Sequence, residues 1–208
     1  MRHLLQHAVF APAADSAAGS AAPAGLVTYT LDPGHTEVVA RWTHFGFSTP
    51  AAVFCQVKGT LAYAPDQPER SRVEVAIPVA SVRTTVPRQD EHFRSAEFFD
   101  AAQFPEIHFR STKVERGTVA DQLLVTGTLT IRGISKPVTL DVHVNQVGTH
   151  DMHNVPAAGF DAIARINRSD FGMGAYVPAV SDRIDLRITA EAIESQAWAA
   201  IEQAIAKG

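Results

Sequence analysis

The feature that most constrains this chain is a period-two alternation of apolar and polar residues, which recurs along most of its 208 residues. Between residues 29 and 44, for example, Val38, Ala40, Trp42 and His44 share one face, while the other face carries Glu37, Val39, Arg41 and Thr43. Such alternation is typical of a β-strand with one buried side. Comparable runs, most of them separated by short turns, occupy 53–63, 73–77, 107–115, 123–131, 138–145, 160–167 and 184–191.

Eight such strands, with no long helix between them, indicate an all-β antiparallel sheet that is closed into a barrel or folded as a sandwich. We favour the barrel. A connector that follows Pro87 breaks the alternation with helix-forming residues and predicts a short helix. In the tail, Trp198, Ile201 and Ile205 recur at helical spacing, which predicts a C-terminal helix on the outside of the barrel. We therefore divide the chain into a leader (1–25), a barrel (26–193) and a C-terminal helix (194–208).

The leader begins with basic residues and continues in Ala, Ser, Pro and Gly. Gln6, His7 and Pro12 interrupt its apolar part, which makes it a poor match to the apolar region of a secretory signal. Two interpretations stay open at this point, an export signal and a flexible segment before the first strand.

Composition excludes several classes of function. A net charge of −4 and an isoelectric point near 6.1 leave no basic surface for nucleic acid. A hydrophobic fraction of 46% and a mean hydropathy of −0.01 fit a globular domain without an integral membrane segment. The single cysteine, Cys55, excludes an internal disulfide and a cysteine-rich zinc site.

The connector is unusually aromatic, since residues 88–109 contain five of the eleven phenylalanines. Phe93, Ala96 and Phe99 fall on one side of a short helix, while the charged residues Arg88, Asp90, Glu91, Arg94 and Glu97 are expected to face water. One interpretation is a helical lid whose rings close the barrel mouth or touch its contents. The other is simple plugging of the barrel end by core side chains.

The sequence contains only weak candidates for catalytic or metal-binding motifs. There is no Gly-x-Ser-x-Gly elbow, and Cys55 lies inside a strand, so nucleophilic catalysis is unsupported. His150 and His153 form at most a partial metal site, and an exposed polar loop is the better interpretation. His44 lies on the apolar face of its strand, either as a satisfied core histidine or as a donor to a polar ligand group. We expect no catalytic residue, no metal site and no cofactor.

Four segments together resemble a known family, the YceI-like polyisoprenoid-binding proteins, from Tyr29 to about Ala192. The segments are 29–35 with 44–47; 90–95 followed by 97–100 and 104–105; 127–133 with 136–140; and 166–173. Thr36 stands where the family usually has Ser, and Trp42 adds bulk that is expected to shorten a pocket.

The resemblance implies a lipocalin-like, eight-stranded antiparallel barrel whose interior holds a long isoprenoid tail, such as that of a polyprenyl phosphate or a quinone. It also implies a binding protein without established catalytic activity, often periplasmic and often dimeric. We therefore expect an isoprenoid lipid or isoprenoid quinone as partner, a homodimer, and a periplasmic location, with a cytoplasmic location as the alternative because the leader is a weak signal.

Combining strand parity with the resemblance gives a candidate site, although parity alone does not fix which face points inward. Residues expected to contact the lipid tail are Val38, Trp42, Val57, Val75, Phe93, Phe98, Phe99, Phe109, Leu129, Val142, Phe160 and Ile166. Residues expected at the polar end are His35, His44, His92, Asn167 and Arg168. Small residues among the apolar strand positions predict an open cavity, namely Ala40, Gly59, Gly127, Ala162 and Ala164.

The leading hypothesis is a carrier or buffer for a long-chain isoprenoid. The alternative is an enzyme or stress-response module that acts on a small hydrophobic substrate in the same pocket, with His44 or His92 as acid or base. Such a histidine needs a second group to hold it, and the sequence shows none at short range. A structural protein with a fully packed barrel is the third hypothesis.

Overall fold

A computed structural model describes residues 25–207. Two α-helices lie in this part of the chain, α1 (Pro87–Arg94) and α2 (Ser195–Ile205), together with 3₁₀ turns at Pro68–Arg70, Val79–Ser81 and Arg168–Phe171. The strands are β1 (Val27–Leu31), β2 (Glu37–Arg41), β3 (Ala51–Phe54), β4 (Lys58–Tyr63), β5 (Arg72–Pro78), β6 (Val82–Arg83), β7 (Glu106–Arg116), β8 (Gln122–Ile131), β9 (Ile134–His150), β10 (Val155–Asn167) and β11 (Arg183–Glu194).

Eight of these strands close into an antiparallel barrel, which confirms the predicted fold. Their order around the barrel is β1, β4, β5, β7, β8, β9, β10 and β11, and β11 pairs back with β1. The remaining strands lengthen the wall at one end, where β2 pairs with β11, β3 with β2 and β6 with β3. Neighbours in the barrel follow one another in chain order, so the barrel is an up-and-down meander, with long connections only between β1 and β4, between β5 and β7 and between β10 and β11.

Two predicted strands are interrupted, and the prediction of continuous strands there is wrong in detail. Residues 32–36 separate β1 from β2, and residues 55–57 separate β3 from β4. At the second break Gln56 has a left-handed φ of 58°, which shifts the inward parity. Phe54 and Val57 are therefore both buried, although strict alternation puts them on opposite faces.

The two ends of the barrel carry different elements. Helix α1 and the connector lie at one end with the segments 42–50, 132–133 and 168–182, and we call this end the mouth. Helix α2 lies on the outer wall near the other end, where it contacts β1 and β11. The expected external C-terminal helix is thus confirmed, and Glu194 caps it by accepting a hydrogen bond from the Ala197 amide at 2.9 Å.

Within residues 25–207, no helix is both long enough and apolar enough to cross a membrane. Residues 1–24 lie outside the described part of the chain, so the interpretation of the leader stays a prediction.

Candidate ligand cavity and its mouth

The barrel interior contains a cavity of about 480 Å³ whose wall consists almost entirely of aliphatic and aromatic side chains. On β8 it extends from Leu123 to Ile131. Eight residues at about 3.4 Å each, on a strand tilted by about 40°, correspond to a depth of about 20 Å. At the far end, the rings of Tyr63 and Phe160 meet edge to face at 5.5 Å. The shape is a long apolar tube that runs from this far end to the mouth.

The structure places all twelve side chains predicted for the lipid tail in the wall of this cavity. Their contact with a lipid stays a prediction. Trp42 was expected to shorten the pocket, but it lies at the mouth beneath Phe93, with ring centres 5.5 Å apart. Its bulk therefore narrows the entrance rather than the far end. Parity reasoning did not name several further wall residues, among them Leu31, Phe54, Leu61, Tyr63, Ile77, Ile107, Leu123, Val125 and Ile131.

Not all the small residues leave space for a ligand. Ala40 and Ala162 line the cavity, as expected. At Gly127, however, an added Cβ would lie 2.4 Å from the Phe109 ring and 2.5 Å from the Arg110 carbonyl oxygen. At Gly59 it would lie 2.4 Å from the Glu74 carbonyl oxygen. Both glycines permit close approach of the neighbouring strand, and the expectation that they enlarge the lumen is wrong.

Aromatic side chains of the connector cover the mouth. The Phe99 ring meets Phe54 of β3 edge to face at 5.5 Å, and Phe93 meets Trp42 in the same way. Phe98 contacts Phe93 at 5.5 Å and stacks on Tyr176 at 6.5 Å. These rings are half-buried and line the cavity, so the connector forms an aromatic cover over the tube.

One charged residue of the connector does not face water as expected. Asp90 is only 5% exposed, and one of its carboxylate oxygens accepts hydrogen bonds from both the amide and the hydroxyl of Thr84, each at 2.7 Å. The two hydrogen bonds to this carboxylate join the start of α1 to the segment at Thr84, which precedes the helix. On the other side of the connector, the Arg132 guanidinium donates to the carbonyl oxygens of Ala96 and Phe98.

The remaining rim of the mouth carries two aromatic residues with left-handed backbone. Phe45 has a φ of 50° and Tyr176 a φ of 64°, which is unusual for bulky side chains and common at ligand sites. Both side chains line the cavity and are about half exposed. The Phe45 amide donates to the Ala179 carbonyl at 2.8 Å, which joins the two rim segments. The neighbouring Phe47 is 92% exposed.

Polar groups at the mouth form a small network. Nε2 of His92 lies 2.7 Å from a carboxylate oxygen of Glu97, which also accepts a hydrogen bond from the Tyr176 hydroxyl. Hydrogen bonds from His92 and Tyr176 hold the pKa of Glu97 below its ordinary value. His44 lines the cavity nearby and packs edge to face on Phe45 at 4.7 Å. His92 and His44 are thus at the mouth, where a polar end was predicted.

Arg168 also lines the cavity but is only 5% exposed. Its guanidinium donates to the carbonyl oxygens of Ser181 at 2.9 Å, Val180 at 2.9 Å and Met173. Burial lowers the pKa of Arg168, and the nearby Asp182 carboxylate partly opposes that shift. Because several of its N–H groups are already bonded, this arginine holds the rim segment in place.

The two other residues predicted for the polar end lie outside the cavity wall. Asn167 is exposed at the end of β10. His35 is exposed on the barrel surface, and its Nδ1 lies 2.6 Å from a carboxylate oxygen of Asp32. The hydrogen bond that His35 donates to the Asp32 carboxylate raises the pKa of His35. Neither side chain is placed to meet a ligand in the tube.

Comparison with known proteins identifies the family. A family model described as a YceI-like domain matches residues 29–192. The chain belongs to the YceI-like family. Protein YceI of Escherichia coli O157:H7 is 34% identical over 179 residues, which cover 85% of this chain and 92% of that protein. Protein YceI of Salmonella arizonae is also 34% identical, over 162 residues, 78% of this chain and 83% of that protein.

Solved structures agree with this assignment. The YceI protein of Campylobacter jejuni is 30% identical and superposes with a TM-score of 0.66 over 73% of this chain and 89% of its own. BcnA of Burkholderia cenocepacia has a TM-score of 0.70 at 22% identity, covering 77% and 98%. A polyisoprenoid-binding domain from Saccharophagus degradans has a TM-score of 0.63 at 12% identity, covering 81% and 99%. The last two likenesses show the shared YceI-like fold.

Proposed function

We propose that this YceI-like protein binds a long-chain isoprenoid lipid, of the polyprenyl phosphate or quinone type, inside the barrel and acts as its carrier or buffer. The observation that carries the proposal is the apolar tube of about 480 Å³, about 20 Å deep, beneath a cover of aromatic side chains. A structural neighbour described as a polyisoprenoid-binding domain supports the choice of ligand class.

The energetics favour a tail over a compact ligand. Transfer of a methylene group from water into an apolar site contributes about 0.8 kcal/mol before the costs of ordering ligand and protein. A branched hydrocarbon tail gains this contribution along the whole depth of the tube, whereas a small polar substrate finds few partners there. A cavity of this volume is also within the usual range for small-ligand sites, about 300–1,000 Å³.

In this proposal the headgroup stays at the mouth. His44 and His92 line the cavity there and offer imidazole nitrogens to a phosphate or a quinone oxygen. Arg168 adds a positive charge behind the rim.

One observation in the structure favours the alternative, an enzyme with His92 as acid or base. Glu97 is a partner for His92 at short range, which the sequence analysis did not anticipate. The two side chains are 42% and 46% exposed, however, and the same carboxylate holds Tyr176 of the rim. We therefore assign the pair to the mouth. Turnover of lipid by the purified protein, abolished in His92→Gln, would support the enzyme instead.

A matched pair of variants tests the proposal. Ala162 of β10 faces the cavity, while its neighbour Ile163 faces outward and is 58% exposed. Ala162→Trp fills the tube and is expected to weaken binding at least tenfold, whereas Ile163→Trp leaves binding unchanged. Delipidated protein is titrated with undecaprenyl phosphate, a long-chain ubiquinone and oleate, and lipids extracted from the freshly purified protein are identified by mass spectrometry.

The outcomes separate the parts of the proposal. Tight binding of either isoprenoid to wild type, lost in Ala162→Trp, supports it. Equal binding to both tryptophan variants would place the lipid outside the barrel. Oleate binding as tightly as the isoprenoids would refute isoprenoid selectivity.

We further propose that the carrier is periplasmic and forms a homodimer, and both proposals derive from the family resemblance. A fusion of the leader to a periplasm-dependent reporter tests the location. Sedimentation of the delipidated and lipid-loaded protein tests the dimer.

A further inference from the structure

A second cluster of functional side chains lies on the outer wall, away from the mouth. Asp32 and His35 lie in the break between β1 and β2, and Glu191 projects from β11 beside them. One carboxylate oxygen of Asp32, one of Glu191 and a ring nitrogen of His35 all lie within 4.8 Å of one another. Two carboxylates and an imidazole from separate segments thus converge on one point.

Glu191 gives an independent indication that this point lacks a partner. Its Oε1 atom is shielded from solvent and accepts no hydrogen bond within residues 25–207. Nε2 of His150, at the end of β9, lies 3.2 Å from this oxygen, but the contact lacks hydrogen-bond geometry. A shielded carboxylate oxygen without a donor is unfavourable, and a cation beside it removes that cost.

The donor set and its spacing fit a transition metal. Zinc binds imidazole nitrogen at 2.0–2.1 Å and carboxylate oxygen at about 2.0–2.2 Å, so tetrahedral ligand atoms lie about 3.3 Å apart. The His150 to Glu191 separation is already 3.2 Å, whereas the ligand atoms of Asp32, His35 and Glu191 lie up to 4.8 Å apart and have to move closer together when the metal binds. Two imidazoles beside two carboxylates favour zinc over magnesium or calcium, which prefer oxygen ligands alone.

We propose that Asp32, His35, His150 and Glu191 form a binding site for a zinc ion. No metal was expected here from the sequence, because His150 and His153 alone make only a partial site. Folding brings His150 to Glu191 from a distant part of the chain. His150 Nδ1 accepts long contacts from the amides of Met152 and His153, at 3.2 and 3.4 Å, and these are given up when Nε2 binds the metal because Nδ1 then carries the proton.

The site lies at the seam of the barrel. Strand β1 pairs with β11 over only Tyr29, Thr30 and Leu31. Beyond that point the contact continues through the Asp32 amide, which donates to the Glu191 carbonyl at 2.8 Å, and through the Thr36 hydroxyl. A zinc ion at the site ties β1, β9 and β11 together and stabilises the closed barrel independently of any lipid.

The test uses the full chain stripped of metal by a chelator, with zinc, magnesium and calcium added separately. Zinc is expected to bind one per chain and to raise the melting temperature by about 5–10 °C when free zinc is a hundred times its dissociation constant. Magnesium and calcium are expected to leave it unchanged. Cobalt(II) substitution reports the geometry through its visible absorption spectrum.

Variants decide which residues bind. His35→Ala, His150→Ala and Glu191→Gln are each expected to weaken zinc binding at least tenfold. His108→Ala is the matched control, because His108 is also an exposed histidine near a carboxylate, 3.5 Å from Glu106, but belongs to no cluster of three such side chains within residues 25–207. His153→Ala should also retain the affinity. Melting of each variant without metal checks that it folds.

Unchanged zinc affinity in His35→Ala or Glu191→Gln would overturn the proposal, as would equal stabilisation by magnesium. Loss of zinc binding in His150→Ala and His153→Ala, with His35→Ala unaffected, would instead assign the metal to the exposed His150–His153 pair.

Discussion

Phe98 is the side chain through which we expect the connector to act as a gate, and its truncation gives the sharpest prediction about the mouth. Its ring contacts Phe93 at 5.5 Å and Tyr176 at 6.5 Å, so it joins the connector to the opposite rim. Each aromatic pair contributes about 0.5–1.5 kcal/mol beyond area burial. Phe98→Ala therefore removes about 1–3 kcal/mol from the closed mouth.

If the lipid leaves only when the mouth opens, this loss appears in the dissociation rate. At about 1.4 kcal/mol for each factor of ten, the rate constant rises by about 5- to 150-fold. The assay is the dissociation of a fluorescent polyprenyl analogue into excess unlabelled lipid, followed beside thermal melts of the same variants. Opening of the connector is local, so the melting temperature of the barrel falls only modestly.

Two controls use the same substitution at other positions. Phe109→Ala removes a ring that is 9% exposed and seated against Gly127 in the barrel wall, and it is expected to cost about 3–5 kcal/mol of stability. Phe47→Ala removes a ring that is 92% exposed at the rim and should change neither quantity. Unchanged dissociation from Phe98→Ala, with a fall in melting temperature as large as that of Phe109→Ala, would show that the connector merely plugs the barrel end.

Three further predictions concern pH, packing and the leader. Because the pKa of Glu97 is held below its ordinary 4.5 by His92 and Tyr176, its contribution to the closed mouth is present above that value and lost as pH falls through the lowered pKa. The rate of lipid dissociation should rise in that acidic range. In Glu97→Gln, dissociation should already be fast at neutral pH and should not become faster when the pH is lowered. Gly127→Ala should destabilise the barrel by about 1–3 kcal/mol in denaturant unfolding, since its Cβ meets the Phe109 ring and the Arg110 carbonyl; an unchanged midpoint would contradict that clash. Removal of residues 1–25 should leave the melting temperature and lipid affinity unchanged, and a large drop in melting temperature would show that the leader packs on the barrel.

Alternation identified the fold because every barrel strand has one face in the cavity, and eight such runs without long helices leave few architectures. It could not locate local shifts of parity. Val114 lies three residues after Ser111, yet both face inward, because a bulge at Thr112 inserts an extra residue into β7. The left-handed backbone at Gln56 has the same effect between β3 and β4. Neither Thr nor Gln signals such a conformation on its own.

The contacts at the mouth were harder to predict from the sequence than the residues of the cavity wall, because they join residues that are far apart in the chain. The aromatic connector stood out by composition, and its position over the cavity followed from its place between two strands. Asp90 was expected in water because charged residues usually are, and its burial depends on a turn that presents Thr84 to it. The partners of Tyr176 and Arg132 required the folded barrel, since no periodic pattern relates those residues to the connector.

The mouth is held chiefly by arginine side chains that donate to backbone carbonyls, and this bears on how a headgroup is recognised. Arg168 holds the rim segment through the carbonyls of Met173, Val180 and Ser181, while Arg132 holds the connector through those of Ala96 and Phe98. These bonds are made within the protein itself, so both sides of the mouth are ordered before a ligand arrives. Ligand binding then requires little additional free energy for ordering the side chains and loops of the site. For the proposed lipid ligand, we therefore expect headgroup selectivity to depend on the histidines at the rim and affinity to depend on the length of hydrocarbon that the tube accepts.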